Sequence, residues 1–279
     1  MRRIVAALGV SRSQAYAGTG GKPRRVYRKA GDEELQEAIS SVMKEKPSYG
    51  YRRVTGKLNE LRDAAGLARV NVKRVHRAMK LKGWLLQRHT GRPIREHTGT
   101  IMTQESDRRW CSDVFEIGCQ DGQRLRVIFV LDCGDREVIA WLATTGGIDG
   151  EMVRDLMTVA VERRFGLVER VPEGLQWLSD NGSAYTAKET RVFGESLGLS
   201  LRTTPYRSPE SNGMAEAFVK TFKRDYVSFH EVPDACSVME QLPGWFEDYN
   251  EHAPHKALKY RSPRQYRRLL AAKELCPAK

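Results

Sequence analysis

The chain has 279 residues, enough at roughly 150 residues per domain for about two domains with a substantial core. Its formal net charge of +12 is unevenly spread: residues 1–100 hold 23 Lys and Arg against 8 Asp and Glu, a net of +15, and the remainder holds 24 against 27, a net of −3. The basic excess of the first third points to a polyanionic partner, and no apolar run reaches the ~18 residues that a membrane span needs.

The five cysteines, at 111, 119, 133, 236 and 276, form no C-x-x-C pair, so they are expected to be reduced cytoplasmic thiols and not a disulfide framework or metal knuckle. The chain opens on a basic segment, residues 1–30, whose first apolar stretch stops at Ser11, Arg12 and Ser13. That stretch is too short for a signal peptide.

Residues 31–83 are expected to form three short helices. Leu35, Ile39, Val42 and Met43 recur at helical spacing in the first, Val54, Leu58 and Leu61 in the second, and Val72, Val75 and Met79 in the third. Lys46 to Tyr51 breaks the first two, and Gly66 separates the second from the third. The third helix leaves Lys73, Arg74, Arg77 and Lys80 largely on its other faces. A basic third helix suits a helix-turn-helix that enters a DNA groove; a plain helical bundle with a solvated basic face is the alternative. Residues 84–108, rich in Arg, His, Thr and Gly, read as a linker.

From residue 109 the pattern becomes mixed α/β. Arg109 to Cys119 and Arg124 to Asp132 read as strands joined by a turn at Gln120 to Gln123, and Glu137 to Thr144 as a third. Gly150 to Phe165 reads as an amphipathic helix with Met152, Leu156, Met157 and Val159 inward. A short strand from Leu175 to Ser179, a helix near 187–197, a strand from Leu199 to Thr204 and a helix starting near Ser211 follow. Three hairpin-connected strands followed by alternating helices and strands predict a mixed sheet with helices on both faces. The catalytic core is expected to run with its C-terminal helices to residue 270, followed by a tail at 271–279.

Three carboxylates stand out. Asp113 lies in the first strand, Asp180 at the carboxyl end of a neighbouring one, where ligands gather in open sheets, and Glu216 one turn into a helix. Asp180 and Glu216 are separated by 35 residues. Hard oxygen ligands so placed suit two divalent cations that activate a nucleophile and stabilise a leaving oxygen in phosphoryl transfer. Each acid taken singly reads as solvated surface charge. Lys220 and Lys223, four and seven residues after Glu216, share its helix face. Lys220 can pair with Glu216, and the rank of cations also suits a phosphate backbone lying across the site. Asp132 can cap a turn and is left outside the ligand set.

The motifs Tyr-Gly-Tyr-Arg-Arg-Val (49–54), Arg-Trp-Cys-Ser-Asp (109–113), Leu-Asp-Cys-Gly-Asp-Arg-Glu (131–137), Ser-Asp-Asn-Gly-Ser (179–183), the run from Arg207 to Tyr226, and the run from Tyr249 to Pro263 cover nearly the whole chain. Together they resemble the B-type transposases of the bacterial insertion-sequence-three family, in particular its insertion-sequence-two branch. The D-D-(35)-E triad followed by Lys223 is similar to that of retroviral integrases. The resemblance implies a ribonuclease-H-like core after a small helix-turn-helix domain, with Asp113, Asp180 and Glu216 as catalytic ligands of two Mg²⁺ ions, Mn²⁺ being a substitute. It implies cleavage and transfer of DNA strands at element ends, with a 3′-hydroxyl attacking a phosphodiester. The expected DNA contacts are Lys220, Lys223, Arg52, Arg53, Lys73, Arg74 and Arg77. Double-stranded DNA, further copies of the chain, and the product of an upstream frame as a frameshift fusion or partner are the expected partners. The run from Leu8 to Tyr16 reads like the tail of a helix-turn-helix begun elsewhere, and no heptad run is present. His252 and His255 do not make an integrase-type zinc module, because no cysteine precedes Cys111; His255 is expected to pack or to touch DNA. A DNA-binding regulator or relic, and a nuclease of the same fold that only hydrolyses, are the other readings.

Overall fold

The structure, a computed structural model, describes residues 30–87, 105–204 and 213–275. The expected basic segment before residue 30, the linker between 88 and 104, and the stretch 205–212 with the expected helix start at Ser211 lie outside them.

Helices α1 (Asp32–Glu45), α2 (Tyr51–Ala64) and α3 (Val72–Leu81) form the first unit. Asn71 caps α3 by accepting from the Lys73 amide at 2.8 Å, which satisfies one of the donors that a helix start leaves open. Leu35, Ile39, Val42, Val54, Leu58, Val75 and Met79 meet in one small core with Tyr49 and Val70, as their helical spacing predicts. Two expected core residues turn outward: Leu61 is 51% exposed and Val72 38% exposed. Trp84 and Leu85, assigned to the linker, pack against this core.

The second unit is a five-stranded sheet of order β3-β2-β1-β4-β5, made of β1 (Arg109–Gly118), β2 (Arg124–Asp132), β3 (Val138–Thr144), β4 (Gln176–Ser179) and β5 (Ser200–Thr203). β1 runs antiparallel to β2 and parallel to β4. Alternate residues of β1 feed two cores. Trp110 packs with α4 (Gly150–Phe165), alongside Val153, Leu156 and Ala160. Cys111, Phe115 and Ile117 face the other way, toward α7 (Gly213–Asp225) and α8 (Ala235–His252). A short turn of helix, α5 (Ser183–Thr186), and α6 (Lys188–Ser196) link β4 to β5. α9 (Pro263–Leu275) follows α8 and carries helix into the expected tail.

Asp107 and the strand-end acids are built into the core. Arg164, 1% exposed in its side chain, pairs with Asp107 at 2.6 Å, Asp132 at 3.0 Å, Asp135 at 2.7 Å and Glu137 at 2.7 Å. Asp132 also accepts from the amides of Gly134 at 2.6 Å and Asp135 at 3.0 Å, the turn-capping role that kept it out of the ligand set. No helix among the described residues is long and apolar enough to cross a membrane.

Candidate active site

The β1–β4 ladder matches Arg109 to Gln176, Trp110 to Trp177 and Cys111 to Leu178. Continued by two residues, that register sets Asp113 level with Asp180, and in parallel strands level residues point to the same face. That face is the one covered by α7, because Asp113 alternates with Ser112 and keeps step with Cys111 and Phe115. α7 turns Ala215, Phe218 and Phe222 down onto it, which brings Glu216, half-buried at the rim, to the same side. Asp113 is half-buried in mid-strand and Asp180 is exposed beyond the end of β4.

Asp113 feels the other two carboxylates. Burial pushes Asp113 up to about 6, against a hydrogen bond from the Val114 amide, and the charges of Asp180 and Glu216 push in the same direction as burial. Among the described residues no group of three acids, histidines or cysteines is closed tightly enough to hold a metal ion. The arrangement is therefore an open set of hard oxygen donors whose like charge is offset in part at the rim, where Lys220 lies 3.6 Å from Glu216. Divalent cations suit that donor set chemically, since a cation offsets both the desolvation and the repulsion.

The Asp180 loop is held by contacts that sequence reasoning missed. Asp180 accepts from the Gly182 amide at 3.0 Å, and Asn181 donates to the Thr204 carbonyl at 2.8 Å. A Cβ on Gly182 would come within 3.0 Å of Asp180 Oδ1, so the tight turn favours glycine. Tyr185 is buried and its hydroxyl lies 2.8 Å from Ser112 Oγ, which ties the segment after Asp180 to the residue beside Asp113. Burial, opposed by the Ser112 hydrogen bond and helped by the two aspartates, keeps Tyr185 neutral. The signal was available: Tyr185 stands five residues after Asp180 and is the one aromatic residue of its segment.

The expected DNA contacts divide. Lys220 is 71% exposed and lies 3.6 Å from Glu216, and Lys223 sits over the Phe115 ring at 5.9 Å, so both flank the carboxylates. Arg52 and Lys73 are exposed on the first unit. Arg53 is not on that surface: it pairs with Asp225 at 2.7 Å and stacks on Tyr49 at 3.7 Å, because one residue along a helix turns the side chain by ~100°. Arg74 and Arg77 both pair with Asp32, at 3.0 and 3.1 Å, and so hold α3 to α1. His255 packs edge-on against Tyr249 at 5.1 Å; burial and the nearby Arg53 charge push it down to about 3. The packing alternative holds for it.

The mixed sheet with helices on both faces is a ribonuclease-H-like fold, and with its acids it defines a DDE-type polynucleotidyl transferase. The model of the integrase core domain matches residues 103–209, a second integrase core model matches 197–263, and an HTH-like domain model matches 30–92. The chain is 49% identical over 254 residues to the transposase InsD of insertion element IS2A/D/F/H/I/K of Escherichia coli, covering 90% of this chain and 84% of that one. The InsD transposase of element IS2-9 from strain K12 is also 49% identical, over 90% of this chain and 82% of its own. A chain in the simian T-cell lymphotropic virus intasome complexed with a PP2A regulatory subunit shares the fold, with a TM-score of 0.50 and 13% identity over 75% of this chain and 73% of that one. The chain belongs to the integrase-core transposases, in the InsD family of IS2 insertion elements.

Proposed function

We propose that this transposase cleaves and joins DNA strands at the ends of its insertion element, with Asp113, Asp180 and Glu216 holding the divalent cations that the reaction uses. The observation that supports the reading is the register of β1 and β4, which, carried two residues past its last ladder pair, would bring the two aspartates level on the face where α7 packs. Two Mg²⁺ ions, or Mn²⁺ in their place, would supply Lewis-acid activation of the attacking hydroxyl and stabilisation of the leaving oxygen. The chain's own residues do the rest. Asp113 and Asp180 offer carboxylates from a rigid sheet, and Tyr185 and Ser112 keep the two strands in step. Lys220 and Lys223 receive the phosphate backbone. Arg52 and Lys73 add phosphate contacts on the first unit. The chain works in the bacterial cytoplasm on double-stranded DNA as an oligomer, with the upstream-frame product as a fusion or partner for end recognition.

A pre-cleaved, end-labelled element end incubated with target duplex and Mg²⁺ tests this. Joined products of higher length are expected; a protein that only hydrolyses releases fragments without joining them, and that result defeats the reading.

In the same assay Lys220→Ala and Lys223→Ala should join ends poorly, because a reacting strand misplaced by ~1 Å can cost about a hundredfold in rate. They should melt within about 0.5 kcal/mol of the parent, and the defect should ease at low salt. Melting losses that account for the lost activity would make both lysines structural.

Cation binding should also be pH-dependent. Asp113 must be deprotonated to ligate, and it titrates at about 6, so affinity for Mg²⁺ should fall as pH drops through that value. Calorimetric titration at pH 8, 6 and 5 reads this directly; an affinity that does not change over that range excludes Asp113 as a ligand.

A further inference from the structure

The contacts between the two units converge on the far end of the helix that bears Glu216. Asp225, the last residue of α7, is 1% exposed in its side chain and accepts from Ser48 Oγ at 2.6 Å and from Arg224 at 2.6 Å, while Arg53 closes on it at 2.7 Å. Burial alone would raise its pKa; the hydrogen bonds from Arg224, Arg53 and Ser48 outweigh that and hold it below the ordinary carboxylate range. Beside it Lys46 pairs with Asp248 at 2.6 Å, and Tyr226 donates to the same carboxylate at 2.7 Å. On the outer side of α2, His252 meets Glu60 at 2.7 Å. A Cβ on Gly56 would stand 3.0 Å from the Tyr260 carbonyl and 3.1 Å from Pro254. Lys259 and Tyr260 both hold positive φ, at 56° and 60°, a costly conformation for non-glycine residues that persists where surrounding structure enforces it.

We propose that these contacts clamp the helix-turn-helix-like unit to the catalytic core, and that Arg53 is a positioning residue that sets where DNA held by that unit meets the carboxylates. The inference rests on the strand-joining reading above. Glu216 and Asp225 lie nine residues apart on one helix, roughly 14 Å along its axis, so a rigid helix joins the clamp to the site. Successive phosphodiesters of one strand advance by ~3.4 Å along the duplex axis, so a few ångströms of slack between the units along that axis moves the cut to a neighbouring bond. Two ion pairs, the Ser48 hydrogen bond and a glycine contact, all from residues 46–56, seat the unit at one place on the core.

The full-length chain tests the proposal in four variants, three single and one double. Arg53→Met removes the ion pair. Gly56→Leu introduces a good helix former into α2 but wedges the contact with Pro254 and Tyr260. Lys46→Asp breaks the second pair, and adding Asp248→Lys restores it in reverse. Scanning calorimetry should show one unfolding transition for the parent and two for Arg53→Met and Gly56→Leu. Affinity for element-end duplex should stay within about twofold, since the contacts of these residues are to protein groups, yet joining at the correct phosphodiester should fall at least about tenfold. Sequencing of the products should show cuts scattered over neighbouring positions. The reversed pair should regain a single transition and a single cut site. A single transition in both disruptive variants, or a split transition with the cut position and joining rate unchanged, overturns the proposal. A parent that joins no ends under any condition instead defeats the strand-joining reading, and the calorimetry then decides the clamp by itself.

Discussion

Asp113→Asn, Asp180→Asn and Glu216→Gln should each abolish strand cleavage and joining while leaving affinity for duplex DNA within about twofold, because on the proposed roles they remove cation ligands and not phosphate contacts. Loss of a residue that merely supports a ligand costs ~10–100-fold in metal affinity or activity, so loss of a ligand itself should cost at least about a hundredfold. Asp113→Asn carries a second signature. The folded state holds this carboxyl at about 6, above its ordinary range, so without cation the folded chain binds the proton more tightly than the unfolded chain does. Stability then falls as pH rises from the ordinary carboxylate range through about 6. Asparagine removes that cost, and the cation-free variant should gain about 1–2 kcal/mol at pH 8 after allowance for solvent screening, with no gain at pH 4. Denaturant melts at both pH values with EDTA, alongside the joining assay, decide the matter. Loss of stability at pH 8 by Asp113→Asn would refute the raised carboxyl, and any of the three variants that keeps more than a few per cent of activity removes its residue from the ligand set.

Arg164→Met unfolds the catalytic core at markedly lower temperature. The guanidinium serves Asp107, Asp132, Asp135 and Glu137 from a position with 1% side-chain exposure, and Asp132 and Asp135 are fully buried. Removing one partner of a buried ionic cluster leaves uncompensated charge and costs about 3–5 kcal/mol, which for a core of this size lowers Tm by on the order of 10 °C. Burial and the Asp132 charge already push Asp135 up to about 7 with Arg164 in place. Without it, the acids in the fold should bind protons more readily than in the unfolded chain, so the deficit of the variant should narrow as pH falls from 8 to 5. In the parent, Arg164, Arg264 and Arg267 outweigh burial and hold Glu137 low, so its stabilisation is full above its unfolded pKa and is lost as pH drops through the folded one. Thermal melts of parent and variant from pH 8 to 5 test the first statement, and melts of the parent carried below the ordinary carboxylate range test the second. A Tm within about 2 °C of the parent, or a deficit that widens on acidification, would show that the cluster is not what holds the strand ends together.

Much of this was open to reading along the chain because the signals are local. The strand starts at Arg109 and Arg124, the helix from Gly150 to Phe165 and the turn at Gln120 to Gln123 follow from periodicity and turn chemistry, which neighbouring residues carry by themselves. The 35-residue spacing of Asp180 and Glu216 marked the candidate site without any structure. Leu61 was misread because helical periodicity says which residues share a face but not where that face runs out of neighbours, and the small three-helix core ends before reaching it.

The partners of charged side chains belonged to the tertiary structure alone. Arg53 looked like its neighbour Arg52, yet one reaches Asp225 from a distance of 172 residues in the chain while the other stays exposed. Arg74 and Arg77 met Asp32 more than forty residues away, and Arg164 gathered acids from the start of β1 and from the β2–β3 turn. A guanidinium has the same local pattern whether it ends on phosphate or on a carboxylate. Periodicity and spacing record what a residue's near neighbours require, so the sequence by itself determined the elements, the family and the three acids. Which arginines end on carboxylates of the protein and which stay exposed depends on long-range packing, and only the folded chain decided it.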